Sequence, residues 1–241
     1  MGVISFIIHL LMIRKNILLT FFVFLLPFLL FAQQRFSGGL GVGFTRSNIT
    51  GMNGPVNIRN LLKTGFTGGL VVAYSLDENN FLQMEINFTQ KGCKVYNPNG
   101  YYPYDYFMAS LSYFDVPVLY RYIRPSTEYN LLYVFDGGIS VGELFSSTLT
   151  QSIYGQNPYN FQSNYFRLRN IDVSVLGGFG FCFPNGIYAG QRFAFSAIPV
   201  VKRNKLPAGM RMLGIGRGHN IETQIFLQYC FGKQKMRVKG W

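Results

Sequence analysis

The chain has 241 residues and a formal net charge of +12, yet charged residues make up only 13% of it, about half the share usual in soluble domains. Hydrophobic residues account for 49% and aromatic residues for 17%. This composition excludes an intrinsically disordered chain, which would lack the apolar residues needed for a core. It also argues against an ordinary cytosolic enzyme.

The N-terminal segment has the features of a secretory signal peptide. The basic pair Arg14 and Lys15 precedes the apolar run of residues 16–32, which ends on a small residue. We therefore expect residues 1–32 to be a signal peptide, with Met12 as an alternative start. An uncleaved pair of membrane helices is the other reading, but the run is short for a spanning helix and contains a proline.

Beyond the signal segment, apolar and polar residues alternate. In FLQMEINFTQ, Leu82, Met84 and Ile86 fall on one side and Gln83 and Glu85 on the other, which is the period of a β-strand. The same period recurs along the rest of the chain. The eight predicted strands cover residues 36–48, 65–76, 81–90, 113–122, 130–144, 168–182, 187–198 and 221–231.

The connections between these strands alternate between short and long. Turn-forming residues fill the short ones, after the second, fourth and sixth strands. Transmembrane barrels have an even strand number, short periplasmic turns and longer external loops. We therefore predict an all-β fold, an eight-stranded antiparallel up-and-down transmembrane barrel over residues 33–232, followed by a basic tail at 233–241. The predicted long loops are 50–64, 93–108, 146–167 and 199–220.

The side-chain types on the two strand faces decide between a membrane barrel and a soluble barrel of the lipocalin kind. The polar face is rich in small residues such as Gly41, Ser140 and Ser174, which suit the narrow interior of an eight-stranded barrel. The apolar face carries large Phe, Leu and Val side chains that suit lipid. This pattern favours an integral barrel in a bacterial outer membrane, because a bilayer admits closed barrels.

Most charges on the strands fall on the predicted inner face. Isolated charges are costly in a narrow interior, so we expect Arg121 and Arg192 each to contact a carboxylate. Such a network could serve as an ion path, but eight strands leave no continuous aqueous channel, which favours a polar plug. The predicted network consists of Glu85, Asp115, Arg121, Asp136, Asp172, Arg192 and Glu222.

Three segments carry a recognisable family pattern: LQMEINFTQKG at 82–92, YFDVPVLYRY at 113–122 and FDGGISVGEL at 135–144. Together they resemble the PorT-like outer-membrane β-barrel family of Bacteroidota-type bacteria. The resemblance implies an outer-membrane location. The founding member is associated with type IX protein secretion, but most relatives have no assigned activity, and a fold alone does not transfer that role.

An enzymatic reading would rest on His219, the one histidine beyond the signal segment. As the base of a lipid-modifying enzyme it would need Glu222 as the acid and Ser146 or Ser147 as the nucleophile, an arrangement defined by geometry. A single loop histidine is more often solvated than catalytic. We therefore predict no enzyme, no cofactor and, without paired histidines or Cys-x-x-Cys spacing, no metal site.

Basic residues concentrate in the last long loop and in the tail. On the outer face they could contact lipopolysaccharide phosphates or acidic glycans, whereas the compartment argues against nucleic acid. The Tyr- and Asn-rich segments 93–108 and 153–166 suit an aromatic girdle or a recognition surface. The candidate contacts to an anionic surface are Lys202, Arg203, Lys205, Arg211 and Arg217.

Three functions remain open at this point. The first is a non-enzymatic structural or interaction protein whose external loops or tail contact a protein partner or a surface glycan, with a possible association with secretion. The second is a narrow channel for small solutes or ions. The third is the lipid-modifying enzyme that uses His219.

Overall fold

The computed structural model describes residues 35–50, 59–96, 104–125, 131–153, 157–162, 168–183, 185–201 and 218–231. The predicted signal peptide and basic tail lie outside these residues. No helix in the described part of the chain is long and apolar enough to cross a membrane. Ten strands form one sheet: β1 Phe36–Ile49, β2 Arg59–Leu61, β3 Lys63–Ser75, β4 Asn80–Tyr96, β5 Tyr104–Pro125, β6 Leu132–Ile153, β7 Tyr159–Gln162, β8 Ile171–Cys182, β9 Ile187–Ser196 and β10 Asn220–Phe231.

Eight of these strands close into a ring, which confirms the predicted antiparallel up-and-down barrel. The order around the ring is β1, β3, β4, β5, β6, β8, β9 and β10, and β10 pairs with β1. The side chains alternate as predicted: Met84 and Ile86 are about half exposed, whereas Glu85 and Asn87 are buried. The strands thus turn small and polar residues inward and large apolar residues outward.

The short turns all lie at one end of the barrel, here called the short-turn end, and the opposite end is the long-loop end. Between β3 and β4, the Asp77 carboxylate accepts hydrogen bonds from the backbone N–H groups of Asn79 and Asn80, at 2.8 and 2.9 Å. These bonds favour the ionised form and hold the pKa of the exposed Asp77 carboxyl below its usual range. The side chain therefore fixes the turn that sets the register of two strands.

The prediction of loops at 93–108 and 146–167 is wrong in part. β4 continues to Tyr96, β5 begins at Tyr104, and β6 runs to Ile153. The short strands β2 and β7, which were not predicted, pair with β4 and β6 in this region. We call this five-stranded region the extension; it comprises β2, β7 and the parts of β4, β5 and β6 beyond Gly92, Tyr113 and Phe145.

The extension is a sheet because its inner face has a core of its own. Phe107, Ala109, Leu111 and Leu149 are buried there. The nearby prolines, tyrosines and asparagines hid this alternation in the sequence. Gly92, with φ +138°, allows β4 to pass from the barrel into the extension, because a Cβ there would collide with the carbonyl oxygen of Ala109.

Large apolar side chains cover the outer surface of the barrel in a continuous band. At its edge nearer the long-loop end, the Phe66 and Phe88 ring centroids lie 5.0 Å apart, and those of Phe114 and Phe145 lie 4.5 Å apart. On β5 the band runs from Phe114 to Tyr122, about 26 Å along the strand, which suits a tilted strand crossing a thin bilayer.

The two edges of the band differ in their aromatic residues. Tyrosines predominate at the short-turn end, where Tyr74 packs on Phe36 and Tyr133 packs on Phe181. Among the described residues, strand phenylalanines make the ring contacts at the opposite edge, and an aromatic girdle or a recognition surface at 93–108 and 153–166 stays a prediction. Parts of those two loops lie outside the described residues.

Candidate functional site inside the barrel

The interior of the barrel is built in layers. An apolar layer lies at the short-turn end and includes Phe81, Ile123 and Leu132. A second apolar layer lies at the long-loop end, on the inner face of the extension, and includes Leu111 and Leu149. Two groups of charged side chains occupy the levels between these layers, the lower cluster nearer the short-turn end and the upper cluster nearer the long-loop end.

The lower cluster contains two arginines and two carboxylates. The Arg121 Nε and Nη2 atoms donate to the two carboxylate oxygens of Asp136, at 2.7 and 2.9 Å. Arg192 donates to both oxygens of Glu85, at 3.0 and 3.1 Å, and to Asp136 at 3.2 Å. Paired N–H donors facing a carboxylate form the strongest kind of ion pair. The formal charges of this cluster balance.

Aromatic rings hold the lower cluster in place. The Arg121 guanidinium lies 4.1 Å from the ring centroid of Tyr188, whose hydroxyl donates to Asp136 at 3.3 Å. The Arg192 guanidinium lies 4.5 Å from the ring of Phe226. Each guanidinium group therefore has carboxylate acceptors for its N–H groups and an aromatic ring against its face, and these contacts restrict the rotamers of both arginines.

The upper cluster surrounds a single lysine with three carboxylates. Lys91 Nζ lies 3.0 Å from Asp115, 3.1 Å from Asp172 and 3.7 Å from Glu222, and all four side chains are almost fully buried. The Gln224 amide donates to Glu222 at 3.0 Å. The cluster therefore has an excess of negative formal charge, unlike the lower cluster.

Asp172 has the largest number of hydrogen-bond partners in the upper cluster. Besides Lys91, it accepts hydrogen bonds from Ser196, from Ser174 at 3.4 Å and from the Asn220 amide at 3.4 Å. These donors come from β8, β9 and β10, and Lys91 comes from β4. The carboxylate thus connects strands on opposite sides of the ring.

The structure divides the seven predicted interior residues between these two clusters. Glu85, Arg121, Asp136 and Arg192 form the lower one, and Asp115, Asp172 and Glu222 join the upper one. Sequence reasoning missed Lys91, because the predicted third strand ended at residue 90, one residue before the lysine. The signal was present, since Lys91 continues the inward alternation of residues 83, 85, 87 and 89.

The interior leaves little free space at the level of the lower cluster. A cavity of about 10 Å³ lies among Thr67, Glu85, Asn87, Arg192 and Gln224, room for about one water molecule. Leu119, Leu176 and Ala194 fill the level between the two clusters. Among the described residues, no group of His, Cys, Asp and Glu is arranged to hold a metal ion.

The structure does not bring His219 and Glu222 together. The His219 ring stacks on Phe195, an outward-facing residue, and its Nδ1 lies 2.9 Å from the carbonyl oxygen of Ser196. Glu222 points into the interior, on the other side of the barrel wall. The five basic residues between 202 and 217 that were proposed to contact an anionic surface lie outside the described residues.

The closed ring, the apolar outer band and the polar interior define an integral β-barrel of the outer membrane. The sequence pattern of the family described as "Outer membrane protein beta-barrel domain" matches residues 31–199. The chain therefore belongs to this family, and the short-turn end faces the periplasm in the topology of such barrels. No curated protein sequence matches the chain.

Several solved barrels are similar to this chain. Ail of Yersinia pestis, in complex with the heparin analogue sucrose octasulfate, is 10% identical, with 82% of this chain and 99% of Ail covered and a TM-score of 0.36. OprG of Pseudomonas aeruginosa is 10% identical, with coverage of 82% and 94% and a TM-score of 0.41. The outer membrane enzyme PagL is 12% identical, with coverage of 78% and 98% and a TM-score of 0.38.

Proposed function

We propose that the protein is a closed, non-enzymatic barrel that holds its extension above the outer membrane for contact with a surface glycan or a protein partner. This proposal is supported by the difference between the filled interior of the barrel and the extension, which continues beyond the lipid-facing band. Apolar layers and ion clusters fill the interior, whereas β4, β5 and β6 continue past the lipid-facing band. A barrel with a filled interior would contact its partner through the surface of the extension.

The outer face of the extension is polar and rich in hydroxyl groups. Ser110 pairs with Thr148 across β5 and β6, and Ser112 pairs with Ser146. These side chains are exposed or half-exposed. The Lys94 ammonium lies 5.3 Å from the ring of Tyr106 on the neighbouring strand. Hydroxyls, an amine and an aromatic ring are the groups that contact sugars and their acidic substituents.

The basic loop supports the same proposal. Lys202, Arg203, Lys205, Arg211 and Arg217 follow β9 and precede β10, so their loop leaves the barrel at the same end as the extension. Positive charge in this loop, together with a hydroxyl-rich face on the extension, favours anionic glycans or lipopolysaccharide phosphates. The resemblance of three strands to PorT-like proteins supports, as a narrower proposal, a role beside a secretion machine.

A direct test places bulky side chains on the exposed face of the extension. The double variant Ser110→Trp with Thr148→Trp keeps the inner core intact and obstructs the outer face. In nanodiscs, wild type should bind purified lipopolysaccharide or an acidic polysaccharide, and the variant should lose at least about tenfold in affinity. A matched control, Leu40→Trp with Leu227→Trp on the lipid-facing band, should bind as wild type does.

Two results would contradict this proposal. Unchanged binding by the extension variant would show that the outer face makes no contact. A changed lipid profile in cells carrying His219→Ala, measured by mass spectrometry of lipid A and phospholipids, would favour the enzymatic reading. If glycans fail to bind, cross-linking in intact cells identifies a protein partner captured by wild type and lost in the extension variant.

A further inference from the structure

A basic residue lies on the outer surface of the barrel just beyond the apolar band. The outward residues of β1 are apolar or glycine from Phe36 to Phe44, about 26 Å along the strand, and Arg46 is the next outward residue. Arg46 is exposed and lies toward the long-loop end. Because the long loops of such barrels are external, its guanidinium lies at the level of the lipid headgroups in the outer leaflet.

Two threonine hydroxyls flank Arg46 on the same face of the sheet. Thr64 on β3 and Thr223 on β10 are its Cα partners on the two neighbouring strands, and both side chains follow the outward alternation. Directly opposite residues in an antiparallel pair have Cβ atoms about 5 Å apart. The two hydroxyls are therefore within reach of a group that the guanidinium binds.

Asn48 adds an amide donor to this surface. It is the outward residue of β1 that follows Arg46, and its side-chain oxygen accepts a hydrogen bond from the backbone N–H of Ile49 at 2.8 Å. This bond orients the amide and leaves its NH2 group as a donor. We call Arg46, Asn48, Thr64 and Thr223 the rim patch; it offers a guanidinium, an amide and two hydroxyls, and none of its side chains carries a negative charge.

No carboxylate of the chain is placed to pair with Arg46. The chain has 10 acidic residues, and the lower and upper clusters bury five of them. β5 and β6 are three and four strands away from β1 around the ring, and Arg46 forms no ion pair within the described part of the chain. The counter-ion of Arg46 therefore comes from outside the chain. The other five acidic residues belong to β5, to β6 or, by sequence, to the short-turn connections, and they are Asp77, Glu78, Asp105, Glu128 and Glu143.

We propose that the rim patch binds the phosphate group of an anionic lipid in the outer leaflet. A guanidinium donates paired N–H bonds to a phosphate, and the hydroxyls and the amide donate to the remaining phosphate oxygens. The acyl chains of the same lipid lie against Phe44, Phe66 and Ile225, which are exposed at the adjacent level of the band. The patch belongs to β1, β3 and β10, the part of the ring that does not carry the extension.

The charge of the patch selects among the possible occupants. A zwitterionic lipid has an ammonium group that needs an anionic acceptor, and the rim patch provides none. A second copy of the chain related by a two-fold axis would place the same patch against itself, so that one Arg46 would meet another. An anionic phosphate satisfies the donors of the patch without either conflict.

Native mass spectrometry of the folded protein, released from detergent micelles, tests this assignment with three lipids that have the same acyl chains. Phosphatidic acid carries an anionic phosphate, phosphatidylethanolamine is zwitterionic, and diacylglycerol has no phosphate. Wild type should bind phosphatidic acid most tightly, and Arg46→Gln should weaken the binding of the first phosphatidic acid molecule about tenfold in Kd. Diacylglycerol should bind weakly and equally to both proteins.

Arg124→Gln is the matched control. Arg124 is an exposed arginine at the short-turn end of β5, so its loss changes the net charge by the same amount, and this variant should bind phosphatidic acid as wild type does. Arg46→Lys keeps the charge but loses the paired N–H donors, so its affinity should be intermediate. Thr64→Val with Thr223→Val removes both hydroxyls and should weaken the binding less than Arg46→Gln does. Heat-dependent migration on SDS gels verifies that each variant is folded.

Three results would overturn the lipid site. The first is equal binding of phosphatidic acid by wild type and Arg46→Gln. The second is an equal loss in Arg46→Gln and Arg124→Gln, which would reduce the effect to net charge. The third is binding of phosphatidylethanolamine as tight as that of phosphatidic acid. The variant Ser110→Trp with Thr148→Trp should bind phosphatidic acid as wild type does, so glycan contact by the extension and lipid binding by the rim patch can fail separately.

Discussion

The lower and upper clusters lie on neighbouring levels of one barrel interior, but they balance their charges differently. In the lower cluster two arginines meet two carboxylates, with aromatic rings against both guanidinium groups. In the upper cluster Lys91 alone meets three carboxylates. The comparison indicates that the lower cluster balances its charges by itself, whereas the charge balance of the upper cluster depends on one residue.

The largest expected effect is the removal of that residue. Lys91→Met leaves three buried carboxylates without a cation, and breaking a buried ion pair costs about 3–5 kcal/mol. We expect a loss of at least that size in the free energy of unfolding, or failure to fold. Urea unfolding in detergent micelles measures it. Adding Asp115→Asn and Glu222→Gln to Lys91→Met should restore folding, and failure of this triple variant to do so would contradict the charge argument.

Removal of a cation from the lower cluster should have a smaller effect. Arg192→Met leaves Glu85 unpaired, but Asp136 keeps Arg121, so we expect a loss of about 3 kcal/mol in the same unfolding measurement. The double variant Arg192→Met with Glu85→Met should recover most of the loss, because replacing a whole buried pair by apolar residues is often neutral. A double variant as unstable as the single one would show that the arginine acts through packing alone.

Neutralising one carboxylate in each cluster sharpens the comparison further. Glu85→Gln removes the negative charge that faces Arg192 and leaves this arginine with Asp136 as its ion-pair partner. It should destabilise the barrel by about 2 kcal/mol. Glu222→Gln removes one excess negative charge beside Lys91 and should change the stability by less than about 1 kcal/mol or increase it. Equal losses for the two variants would mean that the charge balance of the clusters does not differ.

The smallest effect concerns the turn at the short-turn end. The pKa of Asp77 is lowered in the folded state, so its contribution to stability is present above its unfolded pKa and is lost as the pH falls through the folded value. Asp77→Asn keeps an acceptor but removes the charge. The stability difference between wild type and this variant should therefore disappear between about pH 5 and pH 2. A difference that is constant with pH would contradict the assignment.

The sequence allowed the barrel to be predicted because period-two alternation is local information. The alternation within a single strand, such as 81–90, is enough to assign its side chains to the two faces. The alternating short and long connections then predict the order of the strands. The same alternation placed the seven charged residues on the inner face. Their separation into two clusters did not follow from it, because level within the barrel depends on register and stagger between strands.

The parts that were missed have physical causes. The extension was taken for loops because Pro, Asn and Gly near residue 100 suggested turns, although the inner face of Phe107, Ala109 and Leu111 alternates. Lys91 was missed because the predicted third strand stopped at residue 90.

Single-channel recording in planar lipid bilayers tests most directly whether the interior is closed. The two apolar layers, with the ion clusters between them, predict that folded wild-type protein shows no steady ion conductance at any applied voltage that the bilayer withstands. Lys91→Met with Asp115→Asn and Glu222→Gln should remain equally silent, because the apolar layers are unchanged. A stable open conductance of the wild-type protein would contradict the plugged barrel and would support a channel instead.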